Sequence, residues 1–265
     1  ELDDAELVLN QDWTLRYAEG VHRMWVPEAE GLRRYESPDA VGFFSVGFGP
    51  EAKVEDLIEG TGLEDPQPYS VGGVLFMSFV DPGKGSIRLL THNDDELSAW
   101  TDPGGALLRP VDGEWDERLG GPTIAQVDGL FYLFYDGIDA DGVGRIGLAT
   151  AGDGLNYRRE GALIEPGAGA HDSERVADPA LWFDDQAQVW RMFYSAFDGA
   201  TWTIGHAEST NLVDWTPDAT PSFAPEDGAD VGAPVVVYVS GELRLYTARR
   251  DEDGLWDLAL ARSPD

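Results

Sequence analysis

Two Asp-Pro pairs and one Asp-Trp pair occupy matching places in a repeated sequence: Asp65-Pro66, Asp178-Pro179 and Asp12-Trp13. In the two remaining copies the same place holds Gly121-Pro122 and Ala233-Pro234. Carboxylates gathered around one opening repel one another, which raises the pKa of at least one and separates a proton donor from a proton acceptor. On this pattern Asp12 or Asp65 serves as base or nucleophile, and Asp178, Glu64 or Glu174 as proton donor. The same aspartates also admit a purely structural role, because an Asp at a strand start caps turns and bonds neighbouring backbone.

These residues meet only if a repeat brings them together, and the sequence repeats throughout. Residues 121–167 contain GPTIAQVDGLFYLFYDG followed by RIGLATAGDGLNYRREGALIEPG, and residues 178–226 contain DPALWFDDQAQVWRMFYSAFDG followed by WTIGHAESTNLVDWTPDATPSFAPE. Both run in one order: a Pro-led strand, a polar turn, an aromatic strand, a Gly/Asp turn, a strand ending in small residues, and a short fourth strand. The same order fits from Asp65 and from Ala233, with a degenerate copy from Asp12, so the units begin at 12, 65, 121, 178 and 233.

Alternation such as Leu130, Tyr132 and Phe134 against Phe131, Leu133 and Tyr135 leaves both strand faces apolar, as in strands sandwiched between neighbouring sheets. Asp128-Gly129, Gly72-Gly73 and Ser240-Gly241 suit tight hairpins with positive φ. The expected architecture is all-β: one five-bladed β-propeller domain over residues 1–265, with four antiparallel strands per blade. The last unit ends after its third strand, and residues 4–10 (DAELVLN) resemble the missing outer strand, so the N-terminal strand is expected to complete the final blade and close the ring. First strands of a propeller line its central channel, which places the five anchors at one mouth.

The Asp-Pro strand starts (EDPQPY, ADPALWFDD), the aromatic second strands (FYLFYDG, WRMFYSA) and the third-strand ends (ATAGDGLNY, AESTNLVDW) resemble the five-bladed glycoside hydrolases of the arabinanase, xylosidase, invertase and levansucrase group. The resemblance spans essentially the whole chain. It implies cleavage of a glycosidic bond in a small saccharide by channel-mouth carboxylates. In arabinanase-like members the first blade supplies an Asp base, the third an Asp that tunes pKa and the fourth a Glu acid. Asp12 fits the base; Gly121 stands where the tuning Asp is expected, and Asp178 where the Glu is expected. The paired Arg-Asp-Pro and Glu-Cys of invertase-like members are absent. Glu64-Asp65-Pro66 is also similar to a motif of phosphorylase-like relatives, without the basic residues that phosphate requires. The catalytic set is therefore rearranged or incomplete, and the alternative is an inactive propeller that binds carbohydrate or acts as a scaffold.

Sugars stack on exposed indoles, and Trp13 and Trp182 are the candidates by position, with His171 of HDSERVADP beside the mouth. The four histidines lack metal-ligand spacing and there is no cysteine, so no metal site or cofactor is expected beyond a calcium or sodium ion suited to an oxygen-rich channel. GAGAHD lacks the Lys-Ser/Thr of a phosphate loop. Fifty acidic residues against 18 basic ones give a net charge of −32, and Lys53 and Lys84 are the only lysines. That balance disfavours nucleic-acid and anionic-membrane partners and fits a protein kept in high salt, where counterions screen self-repulsion. No apolar run of membrane-spanning length occurs, and Glu1 to Glu6 are too acidic for a secretory leader. A soluble monomer is expected, with the compartment open between cytoplasmic and secreted.

Overall fold

The computed structural model describes residues 14–18, 20–28, 31–38, 44–45, 63–72, 74–92, 100–250, 254 and 256–263. Asp12, Trp13 and the closing segment 4–10 lie outside them. Among the described residues every regular element is a strand. The first unit comprises β1 (Thr14–Ala18), β2 (Val21–Glu28), β3 (Gly31–Ser37) and β4 (Phe44–Ser45), paired in that order. The second comprises β5 (Glu64–Val71), β6 (Val74–Asp81), β7 (Ser86–His92) and β8 (Trp100–Thr101). The third holds β9 (Arg118–Val127), β10 (Leu130–Ile138), β11 (Gly144–Ala151) and β12 (Arg158–Ile164); the fourth holds β13 (Arg175–Asp184), β14 (Val189–Phe197), β15 (Trp202–Ser209) and β16 (Thr216–Pro217). Strands β17 (Asp230–Val239), β18 (Glu242–Arg250) and β19 (Trp256–Ser263) form the fifth. Pairing within each unit is antiparallel, and a single parallel pairing of Gly144 with Arg175 joins the third and fourth units.

The hairpin turns form as their residues require. Asp128 and Gly129 have φ of 51° and 82°, and Ser240 and Gly241 have 55° and 85°, the doubly positive turn that matches strand twist.

The alternation in β10 also resolves into two buried faces. Leu133 and Tyr135 pack with Val80, Ile87 and Leu89 of the second unit, while Phe134 packs with Val176, Met192 and Tyr194 of the fourth. The same holds around the molecule: Trp25 joins Leu75, Met77 and Phe79, and Phe193 and Ile204 join Val231 and Leu245. Leu15, Met24 and Val26 of the first unit share a core with Val235, Tyr246 and Ala248 of the fifth. First strands likewise touch in cyclic order, β1 to β5, β9, β13, β17 and back to β1.

One detail differs from the sequence expectation. The Pro-led strands begin before their prolines, and Asp65, Gly121, Asp178 and Ala233 sit inside β5, β9, β13 and β17 with φ of 48°, 46°, 50° and 48°. Each coincides with a register shift in the pairing to the second strand. The following proline has no N–H to give the ladder, so the chain bulges there and the left-handed residue absorbs the extra length.

Glycines admit the largest rings to the third unit. Trp115 stacks on Tyr135 with centroids 5.6 Å apart, and the Tyr135 hydroxyl donates to the buried Asp116 at 3.0 Å. A Cβ on Gly147 would overlap the Trp115 indole, and one on Gly137 would lie 2.5 Å from it. Gly147→Ala is therefore expected to destabilise the protein by about 1–3 kcal/mol through overpacking. Urea denaturation at constant salt measures this, and an unchanged midpoint would refute the packing account.

Candidate active site

The bulges of the first strands converge on a narrow recess lined by Asp65, Gln67, Gly121, Asp178, Ala233 and the adjoining prolines Pro179 and Pro234. Further along the same strands lies a larger cavity of about 330 Å³, walled by Leu15, Gln67, Thr123, Ala180 and Val236 among others, so that all five first strands contribute. Gln67 lines both spaces.

Backbone at the recess is turned by the bulges so that Gly121, Asp178 and Ala233 direct their N–H groups at the preceding unit. Gly121 N–H donates to Asp65 Oδ2 at 2.9 Å, Asp178 N–H to Asp136 Oδ1 at 3.2 Å, and Ala233 N–H to Ser195 Oγ at 2.9 Å. Ser195 in turn donates its hydroxyl to Asp178 Oδ2 at 2.6 Å. Because the Ser195 oxygen accepts from Ala233, its hydrogen is left to point at Asp178 and fixes that carboxylate's rotamer. Asp65 and Asp178 thus stand on either side of Gly121, both partly exposed to the recess. The backbone-bonding role admitted for such aspartates is real at Asp65, and it leaves the carboxylate facing the recess.

Other sequence candidates lie elsewhere. Glu64 is exposed on β5, opposite Val80, outside the recess lining. Glu174 is also exposed; its N–H donates to Phe197 O at 3.0 Å and its side chain lies beside Gly199 in the β14–β15 turn. His171 is buried, neither ring nitrogen has a hydrogen-bond partner, and it precedes the fully buried Asp172. Burial pushes the neighbouring Tyr194 hydroxyl up, with the charge of Asp172 adding to it. His171 and Asp172 follow the pattern of Trp115 and Asp116 against Tyr135, a core anchor of the preceding unit. Trp182 sits four residues past Asp178 on β13, roughly 13 Å along an extended strand, and stacks on Tyr238 at 5.9 Å. Strand rise, which a one-dimensional reading of position ignores, separates it from the carboxylates. Among the described residues no group of three or more His, Asp or Glu side chains is arranged to hold a metal ion. No helix among them is long and apolar enough to cross a membrane.

Asp136 is the carboxyl that motif reading missed. It lies on β10, 5% exposed, and loss of water pushes its pKa up to about 7, with repulsion from Asp178 adding to the rise. Within FYDG it reads as a turn residue. The available signal was its partner: Gly120-Gly121 stands where the fourth unit has Ala177-Asp178, and two side-chain-free residues leave room for a carboxylate.

No known protein-family model matches the chain. A xylosidase/arabinosidase 43A of Humicola insolens is 26% identical over 156 residues, 57% of this chain and 44% of that protein, so the chain spans less than half of this curated relative's length. Among solved structures, a thermostable family-43 glycoside hydrolase superposes with a TM-score of 0.77 at 17% identity, covering 95% of this chain and 88% of the other. An endo-1,4-beta-xylanase from Bacteroides thetaiotaomicron gives 0.73 at 13% identity, covering 96% and 95%. An exo-1,5-alpha-L-arabinanase from a bovine ruminal metagenomic library gives 0.67 at 15% identity, covering 96% and 92%. The chain has the glycoside-hydrolase β-propeller fold. The resemblance carried by its repeat motifs is thereby met at the level of fold.

A buried neutral Asp136 makes a pH prediction. Between the ordinary value of 3.8 and about 7 the folded chain holds a proton at this site that the unfolded chain has lost. That contribution therefore diminishes stability as pH rises through the window. The melting temperature of wild type should fall relative to that of Asp136→Asn from pH 4 to pH 7 in calorimetric scans. Parallel curves would show that Asp136 is ionised when folded.

Proposed function

We propose that this protein is a glycoside hydrolase acting on a small saccharide at the acidic mouth of a five-bladed propeller. Five core clusters among the described residues, each shared by consecutive units and including one between the fifth and first, support the five-bladed ring. Residues 4–10 are read as the strand that completes the last blade. The observation that carries the activity is the convergence of Asp65 and Asp178 across Gly121 in one recess. On this reading Asp178 passes a proton to the glycosidic oxygen as its bond to the anomeric carbon breaks. Asp65, or Asp12 from the first unit, either takes a proton from the attacking water or attacks the anomeric carbon itself. The similar Humicola protein, described as a xylosidase/arabinosidase, makes pentosides the first substrates to try.

Hydrolysis of aryl glycosides and oligosaccharides of arabinose, xylose, fructose, galactose and mannose tests this, with Asp65→Asn and Asp178→Asn as controls. Each substitution is expected to lower turnover by about 10²–10⁴-fold while leaving the melting temperature within a few degrees. A folded protein silent on every substrate would instead support a carbohydrate-binding or scaffold role, which the glycine at 121 would also suit.

We further read the charge of −32 as adaptation to concentrated salt, with the protein working as a monomer. Raising KCl from about 0.1 M to molar levels contracts the screening length from about 10 Å to about 3 Å. The melting temperature should rise over that range; a flat or falling curve removes the salt reading.

A further inference from the structure

Second strands pair with first strands in one register throughout: Val80 faces Glu64, Asp136 faces Gly120, Ser195 faces Ala177 and Ala248 faces Gly232. Each of these is the residue just before a bulge. The pairs of bulge residue and second-strand residue are therefore Asp65 with Val80, Gly121 with Asp136, Asp178 with Ser195, and Ala233 with Ala248. Among these four pairs, only the third unit's carries the acid on the second strand. A Cβ on Gly120 would lie 2.5 Å from Asp136 Oδ2, and one on Gly121 would overlap Asp136 Oδ1 and come within 2.9 Å of Asp178 Cα. The Asp136 carboxyl thus fills the space that a side chain at 120 or 121 would take, directly behind the backbone of Asp178, whose N–H it accepts.

We propose that Asp136 is a positioning residue of this site, supplying from the second strand the carboxyl that the third unit's first strand lacks and sharing a single proton with Asp178. The inference rests on the proposed hydrolase reading for its consequence, though its geometry does not. Groups facing Asp136 are Asp178 and Arg175 from β13, with Asp65 reaching Gly121 from β5. Like charges at such a place are unfavourable, so ionisation of either aspartate strengthens the other's hold on a proton. The Asp178 N–H bond and the backbone N–H of Asp136 itself oppose the rise, and Arg175 opposes it least. Near neutral pH the pair therefore keeps one proton where an exposed Asp would keep none. In the state in which Asp178 holds the shared proton, that proton goes to the leaving oxygen, which departs as an alcohol, the attacking water yields its proton to the base, and solvent returns one proton to the pair.

Asp136→Asn is the direct probe, because the amide oxygen still accepts from Asp178 N–H while the charge and the proton are gone. In protein carrying carbon-13 in its aspartate carboxyls, NMR should show a carboxyl titrating near neutrality. It should move lower in Asp178→Asn and vanish in Asp136→Asn. With substrates bearing alkyl leaving groups, the alkaline limb of the pH–rate profile should shift down in Asp136→Asn and turnover at pH 7 fall about tenfold or more. With 2,4-dinitrophenyl glycosides, whose leaving group needs no proton, turnover should stay within about threefold. Should Asn disturb folding, Asp178→Asn by itself keeps the test: the neutral titration of Asp136 should remain but lie lower, and a titration that does not move overturns the pair. A neutral titration that persists in Asp136→Asn, or an alkaline limb that does not move, overturns the proposal. Coupled titration without turnover on any glycoside upholds the proton-sharing pair and sinks the hydrolase reading instead.

Discussion

The left-handed backbone just before a proline, repeated at Asp65, Gly121, Asp178 and Ala233, is the constraint on which the rest of this structure depends. A proline in a first strand removes one ladder bond, and the preceding residue rotates out of register to compensate. At Gly121, Asp178 and Ala233 that rotation turns the N–H away from its own sheet and toward the preceding unit. Asp65, Asp136 and Ser195 accept those three N–H groups. The bulges therefore link consecutive sheets and hold polar side chains at the recess. For a residue other than glycine, positive φ costs about 1–2 kcal/mol, and Asp tolerates it better than most. Strain of this kind persists where neighbouring structure over-determines it, which is common at functional sites.

Much of this was legible in one dimension. The repeated positions 65, 121, 178 and 233 follow from the Pro-led pattern and fall at the bulges, and the turns at Asp128-Gly129 and Ser240-Gly241 follow from residue type. Two apolar faces along β10 announce a strand between two sheets, and those faces bury against different neighbours. Asp65 and Asp178 hold equal places in the repeat, and both line one recess.

What was not legible depends on distance along a strand and on cross-strand register. Trp182 shares a strand with Asp178, yet strand rise carries it to Tyr238. His171 precedes the mouth in sequence, yet it is buried beside Asp172 in a place that the preceding unit gives to Trp115. Asp136 is the opposite case, distant from Gly121 in sequence and packed against it in space. Motif reading scores residues at one position of the repeat. Asp136 stands on the neighbouring strand, and only its pairing with Gly120 exposes the placement.

Burial also separates two electrostatic problems that the composition merges. Among the described residues, acidic side chains such as Asp141, Asp153, Glu165 and Asp185 are exposed and add to a surface field that mobile ions can reach, so salt relieves it. Asp136 is 5% exposed and its dominant perturbation is loss of water, which no counterion restores. Its raised proton affinity should therefore survive at salt concentrations that erase long-range repulsion over the surface. Exposed groups show the contrast: Asp153 is held down to about 2 by the backbone and side chain of Asn156, a local hydrogen-bond effect in open solvent. On the proposed reading, a carboxyl behind the recess wall keeps a proton affinity that the surface field does not set. Gly120 and Gly121 make that placement sterically possible.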